Sequence, residues 1–237
     1  PFGGSYGLSW KMPAGSFKKY LISGNIIDSK IHNNYFGLYT YGATGMVIKN
    51  NNVYKNVEYG IDPHDDSNNL IIEDNISHSN GNHGIIVSKR CINNIFRRNV
   101  SYNNRLHGIM LDRQSNYNLV EDNLVFGNTD GLAIFDSHKN IIKNNKFNGS
   151  KNGIRVNADS SKNYFEENEM VKNENGIYIY DNSNENFSLN NKISENSIGV
   201  YIKNATKNII KNSIRKGENL IDIKLGGNSN GNIIERI

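Results

Sequence analysis

Asp62, His64 and Asp65 stand within four residues of one another, and Pro63 separates the first two. A histidine two places from one carboxylate and next to another offers either acid–base chemistry or a pair of metal ligands. Pro63 makes the grouping unusual. It is the last proline of the chain, and it falls in a slot that otherwise reads as a buried strand. A proline inside a paired strand removes a ladder hydrogen bond, and such local rules tend to be broken at functional sites. A metal site needs a third ligand at convincing spacing, and none emerges, so the expected metal set is none.

The elements that must position these residues form a repeat. Glycine followed by alternating apolar residues recurs at Gly37, Gly60, Gly84, Gly108, Gly131, Gly153, Gly176 and Gly199, at steps of 22 to 24 residues. A second short strand follows each time and ends in asparagine, at Asn52, Asn75, Asn99, Asn123, Asn145, Asn168, Asn191 and Asn212. Asn25 and Leu220–Leu225 fit as weaker copies. Self-similarity at this period signals a solenoid. The leucine framework of leucine-rich repeats is missing, no helical period is sustained, and β-branched and aromatic residues dominate the apolar slots. The expected fold is all-β, a single-stranded right-handed parallel β-helix of about 9–10 coils with roughly 23 residues per coil. It forms one domain over residues 1–237, with 1–17 an irregular segment or cap and 18–237 the repeats. Asparagine makes up roughly a fifth of the chain. A stacked amide ladder at one corner explains it, because Asn tolerates the left-handed conformation.

Alternation then assigns faces. Counting from each glycine, the first and third residues point into the core. The second and fourth point outward in two columns. One reads Tyr39, Asp62, Ile86, Met110, Ala133, Arg155, Tyr178, Tyr201; the other reads Tyr41, His64, Ser88, Asp112, Phe135, Asn157, Tyr180, Lys203. Fifth come Asp65, Lys89, Arg113 and Asp136. Tyr59, His83 and His107 immediately precede the glycine on consecutive coils. Reactive residues thus cluster on three adjacent coils of one face, and coils stack about 4.8 Å apart, a step comparable with one sugar of an extended polysaccharide. Tyrosines towards the ends are expected to offer stacking platforms. Taken singly, a surface histidine or strand tyrosine is unremarkable; the proline is what separates this face from a plain one.

Composition narrows the classes. Cys91 stands alone, which excludes an internal disulfide framework and any multi-cysteine metal site. The formal charge of +4 is mild and compatible with an acidic polymer. No apolar run is long enough to span a bilayer, and no signal segment opens the chain at Pro1. The chain is expected to be a processed product or an excised segment.

Tyr59-Gly60-Ile61-Asp62-Pro63-His64-Asp65 on a β-helix strand resembles the mannuronan C5-epimerases of alginate metabolism, with most similarity to the periplasmic biosynthetic branch. That family carries Tyr-Gly-Ile/Phe-Asp-Pro-His-Asp/Glu. Tyr35–Tyr41, His83–Ser88 and Gly108–Arg113 extend the likeness, which covers Tyr35 to Arg155. The resemblance implies conversion of β-D-mannuronate to α-L-guluronate within the polymer. It implies His64 as base near C5, Tyr59 or a water returning the proton, and Asp62 orienting His64 or bonding the sugar. Lys89 stands where the biosynthetic enzymes have a carboxylate-neutralising arginine, with Arg90 adjacent. Asp65, Arg90, His83, His107, Asp112, Arg113, Arg155, Tyr39 and Tyr41 are the expected substrate-binding residues. Ser88 replaces the aspartate of calcium-dependent relatives, and no Gly-rich calcium repeat follows, so no cofactor is expected. The implied partner is an acidic polysaccharide, with no nucleic acid and no membrane span, and the implied state is a periplasmic or extracellular monomer. A polyuronate lyase would share the proton abstraction, and a non-catalytic carbohydrate-binding β-helix would use only the tyrosines.

Overall fold

The computed structural model describes residues 2–11 and 22–237. Every element among them is a β-strand, and all pairing is parallel. Three sheets run the length of a right-handed solenoid, two of ten strands and one of eight. Most coils contribute one strand to each, as in Phe36–Tyr41, Val47–Lys49 and Asn52–Tyr54, and the third sheet ends at Lys192–Ser194, two coils before the others. The sheet built on the glycine-led strands carries the candidate site, and Ile61–His64 is its third strand.

Residues Tyr6–Lys11, outside the recognisable repeat, form the first strand of that sheet and pair with Phe36–Tyr41. The rest of the expected cap, residues 12–17, lies outside the described residues.

The inward positions fill the core as alternation requires. Ile61, Ile85, Val87, Ile109, Leu111, Leu132 and Ile134 are fully buried, as are Phe96, Phe147 and Phe165 from the second and third sheets. Glycine leads the site strand because no side chain fits there. A Cβ on Gly60 would sit 2.3 Å from Ser77 Oγ and 2.5 Å from the Gly84 carbonyl oxygen. The chain bends at this point, which turns the preceding residue out onto the site face.

Asparagine explains the register, at three corners rather than one. Asn51, Asn75, Asn99, Asn123, Asn145, Asn168 and Asn191 form one ladder, each side-chain amide donating to the next Oδ1 at 2.8–3.0 Å. Each also donates to a backbone carbonyl, as Asn99 does to Ile72 at 2.8 Å. The ladder corrects the sequence reading at both ends. Asn51 rather than Asn52 is the rung, Ser29 rather than Asn25 stands before it, and Ser213 rather than Asn212 closes the series. Asn212 instead adopts a left-handed turn conformation at φ 48°. Parallel ladders join Asn56, Asn80, Asn104 and Asn128 and Asn118, Asn140, Asn163, Asn186 and Asn208.

Replacing Asn99 by Ala removes the acceptor of both the Asn75 N–H and the Asn75 side-chain amide. Leaving these buried donors unpaired lowers stability by about 2–4 kcal/mol, measurable as a fall in the urea midpoint. A change below about 1 kcal/mol would show that the ladder is decoration.

Candidate active site

Pro63 opens the sheet at one place. On its N-terminal side the strand is fully paired, with Tyr39 opposite Asp62 and Tyr41 opposite His64. Towards the next coil only Ile61–Ile85 and His64–Ser88 pair, and the rungs at Asp62 and Pro63 are missing. The Pro63 ring takes an inward core slot and is buried. Asp62 and His64 share the outward face, as alternation predicts.

The strand then ends in two residues with left-handed backbone, Asp65 (φ 37°) and Asp66 (φ 61°). Lys89 and Arg90 do the same one coil later, and Arg113 and Gln114 one coil after that. Such conformations are uncommon without glycine. They are held here by coil-to-coil bonds such as Asp65 N–H to the Ser88 carbonyl at 2.9 Å. This turn brings Asp65, Lys89 and Arg113 together beside His64.

His64 Nδ1 is hydrogen-bonded to Asp65 Oδ2. An ionised carboxylate only accepts, so the ring proton sits on Nδ1 and the Nε2 lone pair is left for a reacting proton. Burial pulls the imidazole below the usual histidine range, against the opposing pull of Asp65. The ring stacks on Tyr39 with centroids 5.7 Å apart. Of the two roles open to Asp62, orienting His64 therefore falls to Asp65.

Asp62 is 1% exposed, and its Oδ1 has no hydrogen-bond partner. Burial drives its carboxyl well above the usual carboxylate range. Arg113 and Lys89 pull the other way, while Asp112 and Asp65 push further up. A protonated Asp62 can donate a hydrogen bond to a bound carboxylate. The Tyr59 ring, three residues before Asp62, stacks on His83 with centroids 5.0 Å apart; burial first, then Asp62 and Glu58, hold its phenol in the neutral form.

The cations differ in availability. Arg90 forks onto Asp66 with bonds of 3.0 and 2.9 Å. Arg113 donates to Asp112 and to Ser88 Oγ, both at 2.6 Å, and Ser88 Oγ donates to Asp112 at 2.6 Å. Lys89 Nζ has only a loose approach to Asp65, at 3.7 Å. It is the least committed cation beside His64.

The histidines flanking the groove are buried. His83 is 7% exposed and His107 8%. Burial, helped by His107 and Arg155, pushes His83 down to about 3. Arg155 lies four strands from Asp62, and its donors go to Asp130, Asn157 and His107. Tyr41 is exposed on the rim. The downstream tyrosines stack on one another, Tyr178 on Tyr180 at 4.5 Å and on Tyr201 at 4.7 Å. Much of the ring face that a sugar platform needs is therefore taken up within the protein, which runs against the sequence expectation.

Two contributors escape the sequence reading. Asp130 continues the column of Tyr59, His83 and His107 by one coil, a signal that extending that column would have found. Lys11, whose Nζ sits 3.9 Å from the Tyr6 ring centroid and 5.1 Å from that of Tyr39, lies outside the repeat and carries no such signal.

These features define a right-handed parallel β-helix protein with an acid–histidine site on one face. The chain belongs to the family described as "Periplasmic copper-binding protein (NosD)", whose model matches residues 91–232, more than half of its length. A right-handed β-helix region model matches residues 20–125. Over 70 residues the chain is 43% identical to a mannuronan C5-epimerase of Pseudomonas fluorescens, covering 28% of the chain and 13% of that enzyme. Mannuronan C5-epimerase AlgG of Azotobacter vinelandii is 46% identical over 48 residues, 20% of the chain and 9% of the enzyme. The crystal structure of the periplasmic alginate epimerase AlgG superposes with a TM-score of 0.72 at 26% identity, covering 97% of this chain and 55% of that one. The resemblance to mannuronan C5-epimerases therefore holds in sequence and in fold, and the chain spans about half the length of that structure.

The copper of the family description finds no fitting ligand set here. Among the described residues no three His, Cys, Asp or Glu side chains converge. The Cys91 thiol faces the carbonyl oxygens of Ser88 (3.2 Å) and Pro63 (3.6 Å), and burial pushes it up to about 12.

His83 makes stability depend on pH. Its folded value of about 3 lies below the unfolded value of about 6.5. Its contribution is complete above pH ~6.5 and is lost as pH falls towards ~3, because the unfolded chain then binds a proton the folded one does not. His83→Phe keeps a ring in place and should shrink the difference in urea midpoint between about pH 7.5 and pH 4.5. An unchanged difference would contradict the burial of a neutral His83.

Proposed function

We propose that this chain is the catalytic β-helix of a polymannuronate C5-epimerase acting in the periplasm or outside the cell. The observation that supports it most is the set around Asp62. His64 turns Nδ1 to Asp65 and leaves Nε2 for a proton, Tyr59 precedes Asp62 by three residues, and Lys89, only loosely paired with Asp65, lies one coil away. The periplasmic alginate epimerase among the structural relatives supports the same substrate and compartment.

A proton α to a carboxylate is barely acidic, because its removal places a second negative charge on the same group. Charge stabilisation and a positioned base must both be supplied. In this reading Lys89 faces the uronate carboxylate, and protonated Asp62 donates a hydrogen bond to it. His64 Nε2 takes the C5 proton, and the C5–H electron pair moves into the carboxylate as an enediolate. Collapse of that enediolate with a proton from the Tyr59 side forms the new C5–H bond on the other face. The 4-O bond stays intact, and the proton held on His64 returns to solvent and replenishes Tyr59. No metal enters any step.

The lyase alternative starts with the same abstraction and then expels the 4-O substituent; no feature of this site favours that ending.

His64→Ala is expected to abolish solvent-deuterium incorporation at C5 of polymannuronate while the circular dichroism of the fold is kept. Retained exchange would remove His64 from the mechanism. Lys89→Ala should cost about 100-fold or more in kcat/KM. Arg90→Ala should cost under about tenfold, since that side chain serves Asp66. The reverse order would show that Arg90 faces the substrate carboxylate.

A further inference from the structure

A buried polar chain runs alongside the site, and the proton transfer above makes no direct use of it. Arg155 rises in the outward column of Asp62 and turns back along the solenoid. Its Nε donates to Asp130 Oδ2 at 2.7 Å, one coil earlier, and its Nη2 to His107 Nε2 at 3.0 Å, two coils earlier. Its Nη1 donates to Asn157 at 2.6 Å, with Tyr180 Oη at 3.4 Å. His107 Nδ1 lies 2.8 Å from Asp130 Oδ2. The other Asp130 oxygen accepts from Asn152 at 2.6 Å, and Asn152 accepts from Asn175 at 2.8 Å. From His107 the chain continues as stacked rings. His83 lies 4.7 Å away at 11°, and Tyr59 lies 5.0 Å beyond His83 at 8°.

Stacked rings by themselves are a habit of this fold. On the third sheet His32, Tyr54, His78, Tyr102 and Phe126 stack at 4.7–5.1 Å. Among the described residues no Arg–Asp pair anchors that column. The column beside the site is held at one end by a guanidinium that is 15% exposed and a carboxylate that is 2% exposed. Burying such a pair carries a desolvation cost that a hydrophobic pair avoids, so its value lies in fixing geometry. A guanidinium only donates, so His107 Nε2 must accept and the ring proton must sit on Nδ1, facing Asp130. The ring is thereby fixed through Nε2 by Arg155, while Nδ1 lies 2.8 Å from Asp130 Oδ2 without hydrogen-bond geometry, a contact of charge rather than direction.

We propose that Arg155, Asp130 and His107 form a positioning strut that fixes Tyr59 through the His83 ring. The ion pair locks His107, His107 supports one face of His83, and His83 supports the Tyr59 ring beside Asp62. Arg155 thus acts through Asp130 and His107 rather than by touching the sugar. This rests on the reading of Tyr59 as the group that returns the proton. Burial first, then His107 and Arg155, hold His83 uncharged, and Asp130 opposes them. Displacing a proton donor by about 1 Å can cost 100-fold in rate without weakening binding.

The test combines nitrogen-15 NMR of histidine with exchange kinetics on wild type, His107→Ala, His107→Phe and Arg155→Lys. In wild type, His107 should show the Nδ1–H tautomer and His83 should not titrate between about pH 5 and 8. His107→Ala exposes one face of His83, which should then titrate in that window. Its kcat for C5 exchange should fall about 10- to 100-fold, with KM within about twofold. His107→Phe restores a ring and should recover most of kcat even though the hydrogen bond from Arg155 is gone. Arg155→Lys should shift the His107 tautomer and lower kcat without raising KM. Wild-type kcat in His107→Ala, or a KM-only effect in Arg155→Lys, would overturn the strut. If wild type shows no C5 exchange at all, the epimerase reading fails. The histidine spectra still decide the strut, since a His83 that titrates in wild type, or an Nε2–H tautomer of His107, would sink it independently.

Discussion

Everything in this molecule depends on keeping successive coils in register about 4.8 Å apart. Backbone pairing alone does not select the register, because short parallel strands of similar sequence can slip. The buried asparagine ladders select it. Each amide bonds simultaneously to the next coil's amide oxygen and to a backbone carbonyl, so a shifted coil would strand several buried polar groups at once. The site inherits its precision from this constraint. Asp62, Lys89 and Arg113 come from three different coils, and their relative placement is only as good as the stacking beneath them.

Against that regular background Pro63 is a local opening. It deletes two rungs between adjacent coils while its ring fills a core position. The carboxylate next to it is buried on the outward face with one oxygen unpartnered. Asp62 Oδ1 is one of several buried polar atoms left without a partner, and it lies within the reactive cluster. Such an arrangement is costly in the resting protein and is relieved when a ligand supplies the missing partner.

The sequence displays periodic features well and aperiodic ones poorly. The core positions from Ile61 to Ile202 and the pairing of Asp62 with His64 on one face follow from a two-residue alternation that nothing disturbs. The asparagine ladder is visible in the sequence, yet its rungs lie one residue away from Asn52 and Asn212, because an adjacent Asn51 or Ser213 offers the same hydrogen bonds and only the geometry distinguishes rung from turn. The role of Asp65 was hidden because the strand ends there in a left-handed turn, beyond the reach of alternation. The pairing of Asp130 with Arg155 was hidden for a different reason. Asp130 extends the column of Tyr59, His83 and His107, but its pairing with Arg155 depends on a long side chain reaching back along the solenoid, which a column does not show. The face of each tyrosine ring is likewise a matter of side-chain packing.

The account turns on what the Asp62–His64 face does to a uronate polymer. The most direct measurement is proton NMR of polymannuronate incubated with the protein in D₂O, with chain length followed in the same sample. Guluronate signals with deuterium at C5 and unchanged chain length are the predicted result. Unsaturated chain ends with shortening polymer, or a polymer unaltered in both respects, would contradict it.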